Sequence, residues 1–245
     1  MKKNKNKNTN VAASGDVKRT LHKNLEFTAN EQYKLLRTNI SFTLPEDVKC
    51  PIIGVTSSIR GEGKSTTAIN LSYVLAEKGK KVLLIDGDLR IPSVAKKMEI
   101  KSNPGLTDLL LGFENQQLGV FKSDILDNWY IIPSGELPPN PSELLGSTKM
   151  EKLLNILSEK FDYIVFDLPP VNIVSDALAI AHLITGIVLV VREDYTEKKA
   201  FEECIRQLRL SNVKVLGTVM NVSKGPKGAY GKYRKYYKSY KYYKS

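Results

Sequence analysis

Cysteine is almost missing from this sequence: Cys50 and Cys204 are the only two in 245 residues. Two thiols exclude a disulfide-stapled scaffold and a four-cysteine metal cluster, and they fit a reducing compartment. Both read as packing residues. Histidine is equally scarce, with His22 reading as a tail residue and His182 as a helix residue. Long apolar runs are lacking too. The longest mostly apolar stretch, 177–191, is interrupted by His182, Thr185 and Gly186, and it falls short of the roughly 18–20 residues of a membrane span. The first 20 residues are basic with no apolar segment behind the charges, so no secretory signal is read. A soluble cytoplasmic protein is the expectation. No repeat of 20–50 residues is evident.

Apolar residues make up 42% of the chain and charged residues 26%. That suffices for one sizeable core and excludes a wholly disordered polymer. The net charge of +11 is concentrated at the ends. Residues 1–10 carry +4 and residues 224–245 carry +8, neither with an acid, while 11–223 hold 25 basic against 26 acidic residues. The basicity therefore describes two tails and not a groove on the core. The expected organisation is a disordered basic segment 1–26, one domain 27–223 opening with a helix at 27–44, and a disordered tail 224–245.

Within the domain, β-rich runs at 52–56, 82–86, 163–167, 187–191 and 213–220 are continuously apolar, with a shorter one at 130–133. Such runs suit strands buried on both faces of a parallel sheet. Helix-compatible stretches at 65–80, 141–160, 176–183 and 197–210 lie between them, and another at 29–42 precedes them. The alternation predicts a three-layer α/β fold with a mostly parallel central sheet. Pro141 falls where the first turn of a helix lacks nothing by losing an N–H.

After the run IIGVT comes SSIRGEGKST, residues 57–66. Gly63-Lys64-Ser65 ends a P-loop whose first position is Ser58. Glycines such as Gly61 and Gly63 let backbone N–H groups curl around phosphates, Lys64 meets the β and γ phosphates, and the Ser65 hydroxyl meets Mg²⁺. The next helix starts here and turns its N-terminus to the anion. Ser58, Arg60, Gly61, Glu62, Gly63, Lys64, Ser65 and Thr66 are the predicted ATP-binding segment. Two strands end in carboxylates: VLLIDGDLR presents Asp86 and Asp88, and YIVFDLPP presents Asp167. Strand C-termini converge on the ligand crevice of an open parallel sheet. With Lys64 they form the candidate catalytic set. Ser65, Asp86 and Asp167 are the metal candidates, although sequence leaves the metal and base roles of Asp86 and Asp88 unseparated. Arg90 is read as a partner of Asp88, a cleft residue or a solvated charge. Asn221 is read as a reader of the adenine edge or a turn residue.

Seven of the twelve tyrosines, Tyr230, Tyr233, Tyr236, Tyr237, Tyr240, Tyr242 and Tyr243, crowd the last 16 residues among lysines. With no apolar partners they are available nucleophiles. Each phosphate would add about −1.5 to −2, so four or five neutralise the tail. Interleaved lysine and aromatic residues also suit single-stranded nucleic acid or an anionic membrane surface.

The loop GEGKST, the motifs DGDLR and FDLPP, the segment PPNPSELL and the tyrosine-rich end together resemble the bacterial tyrosine kinases called BY-kinases, in particular the cytoplasmic catalytic subunits of Gram-positive capsule and exopolysaccharide operons. The resemblance implies ATP- and Mg²⁺-dependent autophosphorylation in trans of the C-terminal tyrosines, and control of polysaccharide synthesis and export. It implies a separate transmembrane activator of the polysaccharide co-polymerase type, a cognate tyrosine phosphatase, a homo-oligomeric ring when unphosphorylated, and recruitment to the inner membrane face through the activator. No specific nucleic acid is implied. The family's oligomerisation motif falls on Glu31, Lys34 and Arg37, where Lys34 replaces an arginine and loses its planar fork. Two other readings stand beside it. One is a positioning ATPase of the ParA/MinD type, whose signature lysine would fall at Ile59. The other is a non-catalytic, nucleotide-gated scaffold.

Overall fold

The computed structural model describes residues 21–112 and 119–222. The strands are β1 (Ile52–Ser57), β2 (Val82–Asp86), β3 (Phe121–Lys122), β4 (Trp129–Ile132), β5 (Tyr163–Asp167), β6 (Gly186–Arg192) and β7 (Val215–Asn221). They form one sheet in the order β3-β4-β2-β5-β1-β6-β7, with every pairing parallel except β3–β4. The three-layer α/β expectation therefore holds.

Burial on both faces explains the continuous apolar runs. Successive side chains in β1, β2, β5 and β6 point to opposite sides. Ile52, Leu83, Ile85, Ile164, Phe166, Ile187 and Leu189 enter one core. Ile53, Val55, Val82, Leu84, Val165, Val188 and Val190 enter the other. The helices are α1 (Phe27–Thr43), α2 (Lys64–Glu77), α3 (Val94–Met98), α4 (Leu106–Leu111), α5 (Pro141–Leu145), α6 (Thr148–Ser158), α7 (Asp176–Ala179) and α8 (Lys198–Leu210). Helix α2 lies between the sheet and α1, so residues all round it are buried. Arg37 of α1 donates to the Val74 carbonyl of α2 at 2.5 Å.

Three differences from the sequence-based expectation have physical causes. The folded part begins before residue 27. Leu21 is buried, the His22 N–H donates to Asn70 Oδ1 at 2.7 Å, and the His22 ring lies 6.1 Å from Tyr73 and 6.2 Å from Trp129. The expected helix 141–160 is two helices, because Gly146 closes α5 and the Ser147 hydroxyl caps α6 by accepting from the Met150 N–H. β3, α3 and α4 carry too few residues to show a period. Residues 1–20 and the tail 224–245, with all seven tyrosines, lie outside the described residues. Among those described, no helix is long and apolar enough to cross a membrane.

Candidate active site

Parallel pairing brings the C-terminal ends of β1, β2 and β5 to one edge. Asp86 stands in register with Asp167, and Val55 of β1 with Asp167. A cleft of about 340 Å³ opens there, lined by Arg60, Gly61, Gly63, Lys64, Ser65 and Thr66 on one side and by Asp88, Arg90, Lys97, Pro169, Pro170 and Ile173 on others.

The loop into α2 is held from inside. Gly61 and Gly63 have φ of +82° and +95°, a region that glycine alone enters freely. A Cβ on Gly63 would also run into the Asn221 amide nitrogen. Glu62, expected among the ATP-binding residues, turns its side chain into the protein. The buried carboxylate accepts from Ser58 Oγ at 2.9 Å, from the Ile59 N–H at 2.8 Å and from the Thr196 hydroxyl. The Ser58 side chain is thereby spent on the loop. The Asn221 amide reaches the same loop, where its Nδ2 donates to the Glu62 carbonyl at 2.8 Å. Tyr195 adds an outer brace, donating to the Arg60 carbonyl at 3.1 Å, while Arg192 stacks on its ring.

The carboxylates divide into distinct environments. Asp86 is wholly buried and points at backbone: Oδ1 accepts from the Asp88 N–H at 3.3 Å, and Oδ2 from the N–H groups of Ser93 at 3.1 Å and Val94 at 2.9 Å. These bonds tie Asp86 to the turn into α3, beside the cleft rather than on its lining. Burial, and then repulsion by Asp167, push its carboxyl up to about 7. Asp88 lines the cleft, accepting from the Ile91 N–H at 3.0 Å through Oδ1 and from Lys64 Nζ at 2.7 Å through Oδ2. Asp167 is fully buried, and its Oδ1 lies 3.5 Å from Lys64 Nζ. Its Oδ2 has no hydrogen-bond partner. Burial raises its carboxyl, and Lys64 and Ser65 act against that. Burial pulls Lys64 down, but Asp167 and Asp88 more than reverse this and leave its ammonium above the ordinary range. Among the described residues the three carboxylates form no cluster that could hold a metal unaided.

Arg90 finds a partner that sequence reasoning missed. Its guanidinium grips Asp176 with two bonds, 2.9 and 3.0 Å, and Asp176 also accepts from the Ser142 hydroxyl. The motif DGDLR is thus tied to the segment PPNPSELL through a buried acid at the start of α7. The only signal in the sequence is a Ser-Asp pair ahead of a helix. Thr196 and Lys97 carry no signal. On α1, Glu31 and Lys34 pair with each other at 3.0 Å.

A family model described as an AAA domain matches residues 50–212. Tyrosine-protein kinase YwqD of Bacillus subtilis is 40% identical over 197 residues, 80% of this chain and 81% of that protein. Tyrosine-protein kinase CpsD of Streptococcus agalactiae is 35% identical over 193 residues, 78% of this chain and 81% of that protein. The crystal structure of the chimerical protein CapA2B2 is similar with a TM-score of 0.77 and 30% identity, covering 84% of this chain and 89% of that one. On these likenesses the chain belongs to the bacterial protein-tyrosine kinases, the BY-kinase family, within the AAA domain group.

Proposed function

We propose that this chain transfers the γ-phosphoryl group of ATP to protein tyrosines, its own C-terminal cluster among them, and thereby controls capsular or exopolysaccharide synthesis. The observation that carries the reading is the meeting of Lys64, Ser65, Asp88 and Asp167 at one sheet edge. The first turn of α2 and the loop N–H groups receive the triphosphate. Lys64 then exchanges its carboxylate partners for phosphate oxygens. Asp88, the carboxylate lining the cleft, takes or orients the phenolic proton. A phenol with a pKa near 10 is a weak nucleophile until a base holds that proton. Ser65 and Asp167 fit a Mg²⁺ site, because Asp167 Oδ2 is buried and lacks a partner beside a hydroxyl. Bound there, Mg²⁺ supplies charge neutralisation on the phosphate oxygens. Asp86 is given a positioning role: it fixes the turn that presents Asp88.

The acceptors Tyr230, Tyr233, Tyr236, Tyr237, Tyr240, Tyr242 and Tyr243 follow β7, which ends at Asn221 against the P-loop. That supports delivery of the tail to a cleft, of this or a neighbouring copy. Transfer in trans within a ring is the reading adopted, with α1 as the contact. On the same helix as Glu31, Lys34 and Arg37, Leu35 and Phe42 are exposed. A separate membrane activator, a tyrosine phosphatase and recruitment to the inner membrane face complete the proposal on the strength of family membership. Mass spectrometry of the C-terminal peptides tests it. Phosphate on the wild-type tail and none on Lys64→Met is the expected result. An unphosphorylated wild-type tail after incubation with Mg·ATP and the activator would refute it.

A further inference from the structure

Lys97 is a second lysine lining the cleft, and no motif marks it. It sits in the last turn of α3 and reaches across to the first turn of α2, where Nζ donates to Thr66 Oγ1 at 3.4 Å. Lys64, by contrast, has Asp88 at 2.7 Å and Asp167 at 3.5 Å. Among the described residues no carboxylate lies within ion-pairing distance of Lys97. Burial pulls its ammonium below the ordinary lysine range; the charge of Asp167 works against this, while Lys64 and Lys96 add to it. A partly desolvated cation with one long hydrogen bond carries a desolvation cost, and an anion arriving beside it relieves that cost.

The fold also marks where that anion arrives. Thr66 adjoins Ser65 in the N-terminal turn of α2, whose N–H groups and dipole favour phosphate. A lysine ammonium has three donors, so it can keep Thr66 and still offer two to a ligand. We propose that Lys97 is a second phosphate-binding lysine of this cleft, holding a phosphate oxygen of the bound nucleoside di- or triphosphate from the α3 side. The proposal rests on the kinase reading above. It assigns to α3 a function beyond closing the turn after Asp88: the helix carries one of the two cations that clamp the polyphosphate, Lys64 from below and Lys97 from the flank.

Titration of the full chain with fluorescent ADP and ATP analogues in the presence of Mg²⁺ tests this. The informative variant is Lys97→Gln, which keeps a donor for Thr66 but carries no charge. Lys97→Arg and the exposed neighbour Lys96→Met serve as comparisons. The dissociation constants of both nucleotides should rise about tenfold in Lys97→Gln, the effect of losing one charge-assisted bond to phosphate. Lys97→Arg should recover most of the affinity, and Lys96→Met should match wild type. The salt dependence of binding should be shallower in Lys97→Gln. Melting without nucleotide reads the structural tie to Thr66 separately. If Lys97→Gln binds both nucleotides within twofold of wild type, Lys97 is a tie and no ligand, and the proposal is overturned while the kinase reading stands. If the wild-type chain binds neither nucleotide, the kinase reading fails and the proposal falls with it. Should Lys97→Gln melt too early to titrate, Lys97→Met replaces it: a tenfold rise supports the proposal and binding within twofold of wild type overturns it.

Discussion

Lys64 Nζ lies 2.7 Å from Asp88 Oδ2, so the P-loop lysine is paired with the carboxylate assigned to the acceptor proton. The two groups sit at 13% and 6% side-chain exposure, where the attraction is little screened. Nucleotide therefore competes with Asp88 for Lys64. Replacing Asp88 with Asn weakens that competition while removing the base. ATP affinity in Asp88→Asn should equal or exceed wild type, and phosphotyrosine formation should drop by about 10²-fold or more. Equilibrium nucleotide binding and single-turnover phosphorylation, measured together, check the split. A parallel loss of binding would mean that Asp88 holds the nucleotide.

Glu62 braces the loop that Lys64 leaves from. Its buried carboxylate collects Ser58, Ile59 and Thr196, so Glu62→Ala strands three donors. Stability should fall by about 2 kcal/mol or more, the usual penalty for buried donors left unpaired. Nucleotide affinity should fall as well, since the N–H groups of the cradle lose their fixed geometry. Thr196→Ala removes one donor and should show a smaller loss of the same kind. Urea unfolding midpoints and nucleotide titrations give both numbers.

How far the site can be read from sequence follows from where its partners come from. The P-loop and the aspartates of β2 and β5 are legible because glycines, a lysine and strand-ending acids stand in short consecutive motifs. The five main strands are legible because burial on both faces leaves an unbroken apolar run. Glu62 is legible only in part: its motif position fixes the backbone, while its side-chain direction depends on Thr196, 134 residues later. Asp176 and Lys97 are invisible for the same reason, as each acquires its meaning from a residue on another strand end or helix. Leu21 is lost because one apolar residue after a basic run has no period; only packing into the cluster that holds Tyr73 and Trp129 makes it core.

Arg90 and Asp176 form the clasp between the second strand end and α7. Asp176 has 0% side-chain exposure and Arg90 40%, so removing the arginine leaves a buried acid held by the Ser142 hydroxyl. Arg90→Ala should destabilise by about 1–3 kcal/mol, below the full buried-pair figure because Arg90 is partly solvated. Arg90→Lys keeps charge but loses the two-pronged grip, and should recover less than half of the loss. Chemical denaturation of the two variants and wild type is the measurement.

Burial of Asp86 predicts a pH dependence of stability. Its carboxyl is raised to about 7 in the fold, foremost by burial and next by Asp167, against about 3.9 in an unfolded chain. The folded state therefore binds this proton more tightly than the unfolded one. Its favourable contribution is complete below the unfolded value and is lost as pH climbs through the folded value. Asp167 is shifted in the same direction and adds to the trend. The melting temperature of the nucleotide-free protein should fall as pH rises from about 4 to about 7. Asp86→Asn keeps an acceptor for the N–H groups of Ser93 and Val94 but has no charge to desolvate. Its melting temperature should show a flatter dependence over that window, and the two curves should differ most above pH 7. Parallel curves for the two proteins would show that Asp86 titrates near its ordinary value, and that the backbone bonds from Ser93 and Val94 suffice to keep it ionised.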